Sequence, residues 1–157
     1  MSTDTTAEPA GLPAETVLHT TSGLASVADL AATGRPVHLL ARGRKGGIGH
    51  AKARIVPVEG AATLVQVGLE HGDAVVLAAT QGVIAPSGDV RWAHELAAGT
   101  AVASTRPRGF RGCVTPNRQQ VRSVAKVAER QPVYRVIAPG YVGVATAAGI
   151  YVQVDQA

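Results

Sequence analysis

The side chains of this sequence best equipped for chemistry are one thiol, five imidazoles and a run of guanidinium groups. Cys113 stands in Arg111-Gly112-Cys113-Val114, with Arg108 and Arg118 close by. Cations around a thiol favour the thiolate, the form that attacks carbonyl carbon, so Cys113 is a candidate nucleophile. The opposing reading is a small core residue before a valine. The histidines are His19, His38, His50, His71 and His94, and no two are two or four positions apart, so no local metal motif exists. Gly43–Gly49 is glycine-rich but lacks the Gly-Lys-Ser/Thr ending and the following helix of a phosphate loop, and it reads as a hairpin tip. No metal and no cofactor is expected.

Charge is concentrated. Between residues 104 and 132 seven cations (Arg106, Arg108, Arg111, Arg118, Arg122, Lys126 and Arg130) face one carboxylate, Glu129. That segment carries +6 and the rest of the chain −2, out of a net +4. Phosphate contacts are one use for such a stretch, but Phe110 is its only aromatic for stacking on bases, and no nucleic-acid-binding motif accompanies it. An acidic protein or a small anion suits it better than nucleic acid, with Arg106, Arg108, Arg111, Arg118 and Arg122 as anion-binding candidates.

The elements that would position these groups are short. In 157 residues there are eighteen glycines and nine prolines, and aromatics are only 3%. Frequent turns and an aliphatic core follow, as a small all-β domain requires. Residues 1–10 hold no apolar pattern and read as a disordered tail before a single domain over 11–157. Strands are expected at 15–20, 37–41, 51–58, 63–69, 74–78, 83–85, 100–103, 133–137, 141–146 and 150–154. Ser26 is placed to cap a short helix that ends at Gly34. Trp92 to Ala98 reads as a helical turn, and 121–127 as a strand or short helix. The total is about ten to twelve short strands, with 104–132 as a basic insertion.

The first ten residues lack the basic and apolar regions of a signal peptide. No apolar run approaches the roughly 20 residues a membrane span needs. With a single cysteine, the plainest setting is a reducing cytoplasm, and the Ala, Gly, Val and Arg content suggests a bacterial source.

Three blocks, in order, resemble the Hint superfamily of inteins and hedgehog autoprocessing domains. Gly11-Leu12-Pro13-Ala14-Glu15-Thr16-Val17, followed by Gly23 and Val27-Ala28-Asp29-Leu30, resembles the opening block. Val75–Val83, Gly88, Trp92 and Glu95-Leu96-x-x-Gly99 resemble the Thr-x-x-His block. Val133-Tyr134-Arg135-Val136 through Gly149-Ile150-x-Val152 resembles the closing hairpin. The resemblance implies a compact horseshoe of many short strands with its hairpins in a pseudo-two-fold arrangement.

It also implies an acyl shift by a side-chain nucleophile with a proton-transfer partner, and at those positions this sequence departs from the pattern. The family's nucleophile falls on Gly11. Thr-x-x-His falls on Ala79 and Gly82, or on Thr80 and Val83 one register on. The terminal His-Asn pair falls on Gln153 and Val154, and the aspartate after Val-Tyr falls on Arg135. The resemblance therefore implies a stand-alone Hint-like domain without splicing or self-cleavage, reused in trans on a small or peptidic substrate. Glu15, Thr16, Thr80, Arg135, Tyr141 and Gln153 would border the former cleft, made roomier by Gly11, Ala79 and Gly82. A repurposed enzyme and a non-catalytic module that binds an anionic partner through 104–132 both remain open.

Overall fold

The computed structural model describes residues 9–70, 73–105 and 118–156. In chain order, β1 (Leu12–Pro13), β2 (Val17–Thr20) and β3 (Gly23–Ser26) lead into α1 (Val27–Ala32). A long hairpin follows, β4 (Val37–Arg42) and β5 (Ile48–Ala62), then a second, β6 (Leu64–Leu69) and β7 (Ala74–Ala78). β8 (Gly82–Ile84), β9 (Val90–Trp92), a 3-10 turn (Ala93–Glu95) and β10 (Ala101–Ala103) come next. β11 (Arg118–Lys126), β12 (Gln131–Ile137), β13 (Gly143–Ala145) and β14 (Tyr151–Gln153) complete the described chain.

The strands form two curled sheets and every ladder is antiparallel. Ten strands follow the path β1-β12-β5-β4-β13-β14-β8-β9, with β2 and β3 branching from β4, and four follow β10-β11-β6-β7. The all-β expectation holds, with fourteen strands among the described residues instead of ten to twelve. β1, β3 and β9 are the additional ones. They are two to four residues long, too short to carry a period-2 pattern of their own.

Local chemistry explains most boundaries. Ser26 Oγ accepts from the Asp29 amide at 3.2 Å and opens α1, satisfying one of the helix's unbonded amides. Gly43 N–H donates to Gly47 O at 2.8 Å, and this closes the β4–β5 hairpin as its glycines foreshadow. In the turn after β8, Gly88 at φ 95° lets Ala85 N–H reach Asp89 O at 2.7 Å. Along β5, Ala51, Ala53 and Ile55 point inward while Lys52 and Arg54 face out, the alternation of a half-buried strand.

The main core is aliphatic, with Leu18, Leu39, Leu77, Val83, Ile150 and Val152 fully covered. Tyr151 is the one buried aromatic among the described residues, whereas Trp92 stays 45% exposed. The second half of the 104–132 stretch is strand. β11 pairs with β10 on one side and β6 on the other, burying Gln119 and Val121. Arg106, Arg108, Arg111 and Cys113 lie outside the described residues, as does the expected tail up to residue 8. Among the described residues no helix is long and apolar enough to cross a membrane.

Candidate functional site

Both ends of the described chain meet on the link between β7 and β8. Thr80 Oγ1 donates to Pro9 O at 3.2 Å, and Ala78 N–H donates to Gly11 O at 3.1 Å. From the other end, Gln153 O on β14 accepts from Gln81 Nε2 at 2.9 Å. The link itself is a tight turn closed by Gln81 N–H to Ala78 O at 2.9 Å. It is held from outside by Ala93 N–H to Gln81 O (2.9 Å) and His94 N–H to Ala79 O (3.0 Å). Gly11, Ala79, Thr80, Gly82 and Gln153, singled out in the sequence, thus converge around one turn.

Sequence reasoning missed Gln81. It is 6% exposed, and its amide bridges Gly82 O (3.0 Å) and Gln153 O, tying β8 to β14. It sits at an unmarked place between Ala79 and Gly82, and no local pattern separates it from a surface glutamine.

The expected extra room at the glycines is absent. A Cβ on Gly82 would meet the Gln153 carboxamide oxygen, Val90 Cγ1 at 2.7 Å and Gln153 Cβ at 2.9 Å. A Cβ on Gly11 would lie 2.6 Å from Tyr134 O, and Gly11 has φ 150°. Neighbouring strands have closed over both positions, so the missing side chains leave close contacts instead of a cavity. Ala79 is half-buried against the main core, and Val154 is 6% exposed.

None of Gly11, Ala79, Thr80, Gln81, Gly82 and Gln153 carries an acidic or basic side chain. Backbone carbonyls, two carboxamides and one hydroxyl can orient a chain, but general acid–base catalysis needs a group that gains and loses a proton. Among the described residues there is also no grouping of three or more metal-ligating side chains.

The residues expected to border one cleft separate by their partners. Glu15 and Thr16 line a groove of about 350 Å³ beside β7, together with Val76, Gln131 and Ala147. Thr16 is 6% exposed and its hydroxyl donates to Val76 O at 3.0 Å. Thr80 and Gln153 belong to the junction. Arg135 is half-exposed and bonded through Nε to Asp155 Oδ2 at 2.7 Å. Tyr141 lies over the β4–β5 hairpin, its hydroxyl 3.4 Å from His50 O and its carbonyl accepting from Gln156 Nε2 at 2.6 Å. Arg135, expected at the border of the cleft, is thus engaged by a carboxylate two residues after Gln153. Arg118 and Arg122 stand exposed on β11.

Tyr151 lies buried on β14. Burial raises the phenol above its usual value, partly offset by the Arg42 guanidinium. Arg42 Nη2 donates to Pro86 O at 3.1 Å.

This architecture, a curled sheet of short antiparallel strands whose two ends meet on the β7–β8 turn, is the Hint fold. A DnaB intein from Synechocystis sp. PCC 6803 superposes with a TM-score of 0.79 at 14% identity, over 94% of this chain and 99% of that one. The Ssp DnaB Mini-Intein variant M86 gives 0.80 at 14% identity, over 96% of each chain. The DnaX mini intein from Spirulina platensis gives 0.71 at 13% identity, over 91% of this chain and 98% of that one. No protein-family model matches the chain, and comparison with curated proteins finds no match.

Proposed function

We propose that the chain is a Hint-fold domain that neither splices nor cleaves itself and acts in trans on a peptidic or small-molecule substrate. One observation carries the reading. Gly11, Ala79, Gly82, Gln153 and Val154 fall where the resemblance puts the family's reactive groups; most of them gather at one turn, and none of the five carries a nucleophile or a titratable side chain. Acyl transfer requires both kinds of group. Intein is therefore the architecture and not the activity. A reducing cytoplasm suits a chain with one cysteine, and a bacterial source suits its Ala, Gly, Val and Arg content.

Support for a substrate in trans comes from the groove beside Glu15 and Thr16, lined by both polar and apolar side chains. A thermal-shift screen with blocked peptides and small anions tests it. A ligand present at 100 times its dissociation constant stabilises by about 2.7 kcal/mol, which a chain of this size shows as about 5–10 °C. No stabilisation by any member of the screen at millimolar concentration would contradict action in trans.

A second reading has its own observation. Arg118, Arg122 and Lys126 all stand exposed on β11, and the sequence before them carries Arg106, Arg108 and Arg111. An acidic protein partner would bind there with an affinity that falls steeply as salt rises.

A further inference from the structure

The open edge of β7 adds a binding mode to this reading, on which it rests. Along an antiparallel strand, residues alternate between those whose N–H and C=O face the partner strand and those whose groups face away. Leu69 N–H donates to Asp73 O at 2.8 Å, so Asp73 faces β6. Val75, opposite Val67, and Leu77, opposite Val65, follow in the same phase. Ala74, Val76 and Ala78 then turn their main-chain groups away from β6. Two bonds fix that phase independently. Ala78 N–H reaches Gly11 O at 3.1 Å, and Val76 O accepts from Thr16 Oγ1 at 3.0 Å.

The N-terminal half of this edge is open. Among the described residues β7 has β6 as its only ladder partner, and Ala74 is exposed. The N–H and C=O of Ala74 and the N–H of Val76 therefore point along the groove of about 350 Å³ that Ala74, Val75 and Val76 help to line. Backbone groups at strand spacing, one acceptor between two donors, match an extended main chain and no compact small molecule. Glu15, exposed, is the one ionisable side chain among the described residues lining the groove. Gln66 and Gln131 supply neutral polar contacts, and Val76 and Val127 an apolar floor.

We infer that an extended peptide adds as a strand to β7 at Ala74–Val76, with a lysine or arginine of the peptide facing Glu15. Another edge strand, β9, exposes Val90 and Trp92, but there Glu95 shares its groove with Arg91, a cation that offsets any selection of a lysine or arginine.

The test is an NMR titration of the isotope-labelled chain with a blocked hexapeptide of β-branched residues carrying one central lysine. Saturable shifts of the Ala74 and Val76 amides are expected. Glu15→Gln should weaken binding about two- to fivefold, the range of an exposed ion pair, and a peptide with glutamate in place of the lysine should bind more weakly still. Ala74→Pro removes an outward N–H at the first residue of a strand, a place where proline is tolerated, and should abolish binding with the fold intact. Peptide binding equally well to Ala74→Pro overturns the site. So does a lysine peptide that shifts Val90–Trp92, or nothing, in place of Ala74 and Val76. If Ala74→Pro fails to fold, the Glu15→Gln comparison and the shift map still decide. A peptide that stabilises the chain without moving Ala74 or Val76 refutes this site and leaves action in trans standing; a screen with no stabilising ligand refutes both.

Discussion

Gly11→Ala asks whether the chain could regain a side chain at the position of the expected nucleophile. Gly11 has φ 150°, and its Cβ would sit 2.6 Å from Tyr134 O and 3.1 Å from Val133 Cβ. The backbone term for a non-glycine residue in such a region is about 1–3 kcal/mol, and steric overlap in a packed site adds about 1–3 kcal/mol. Peeling the segment away would relieve both but would expose Leu12, which is 1% accessible, at about 1.5–3 kcal/mol. It would also break the bonds of Pro9 and Gly11 to Thr80 and Ala78. Either route costs about 2–6 kcal/mol, or roughly 4–24 °C in Tm for a chain of this size. Gly23→Ala is the matched control, since Gly23 has φ 125° and nothing within 4 Å of its Cβ. Urea unfolding followed by far-UV circular dichroism measures both variants. Gly11→Ala should be the worse by at least about 1 kcal/mol. Equal losses, or a Gly11→Ala change below about 0.5 kcal/mol, the scale of a neutral surface substitution, would refute the reasoning. Gly11→Cys should be no easier to accommodate than alanine.

Thr16→Val removes the donor that satisfies Val76 O in a nearly buried site, and chemical denaturation should show a loss of about 1–3 kcal/mol. Arg135→Ala deletes an ion pair whose side chains are 43% and 49% exposed, so the same assay should show less than about 1 kcal/mol, and less again in high salt. Tyr151 holds its proton more tightly folded than unfolded. Above the ordinary phenol value the unfolded chain therefore binds fewer protons, and stability falls as pH rises from about 10 toward the folded value. Tyr151→Phe should flatten that alkaline limb of a Tm-against-pH series.

Features written in short stretches of sequence were legible. Ser26 as a helix cap, the glycine turn at Pro86–Asp89 and the β4–β5 hairpin each rest on neighbouring residues, and each is present. β11 was half hidden. Its valines fit a strand or a short helix equally, and pairing to β6 and β10 makes it a strand. β1 owes its existence to β12, remote in sequence. At the junction, the residue positions were readable but the space between them was not. Whether a glycine leaves a void depends on what the opposite strand does, and here Gln153, Val90 and the β12 backbone fill it. Arg135 shows the same limit, because its partner Asp155 sits on a chain end whose path no local pattern reveals.

The most direct trial places the chain between two reporter domains and follows intact mass through prolonged incubation, alone and with dithiothreitol or hydroxylamine. A single precursor of unchanged mass is the predicted result. A ligated reporter pair, or a fragment released at either boundary, would show that the junction still performs acyl transfer and would contradict the account.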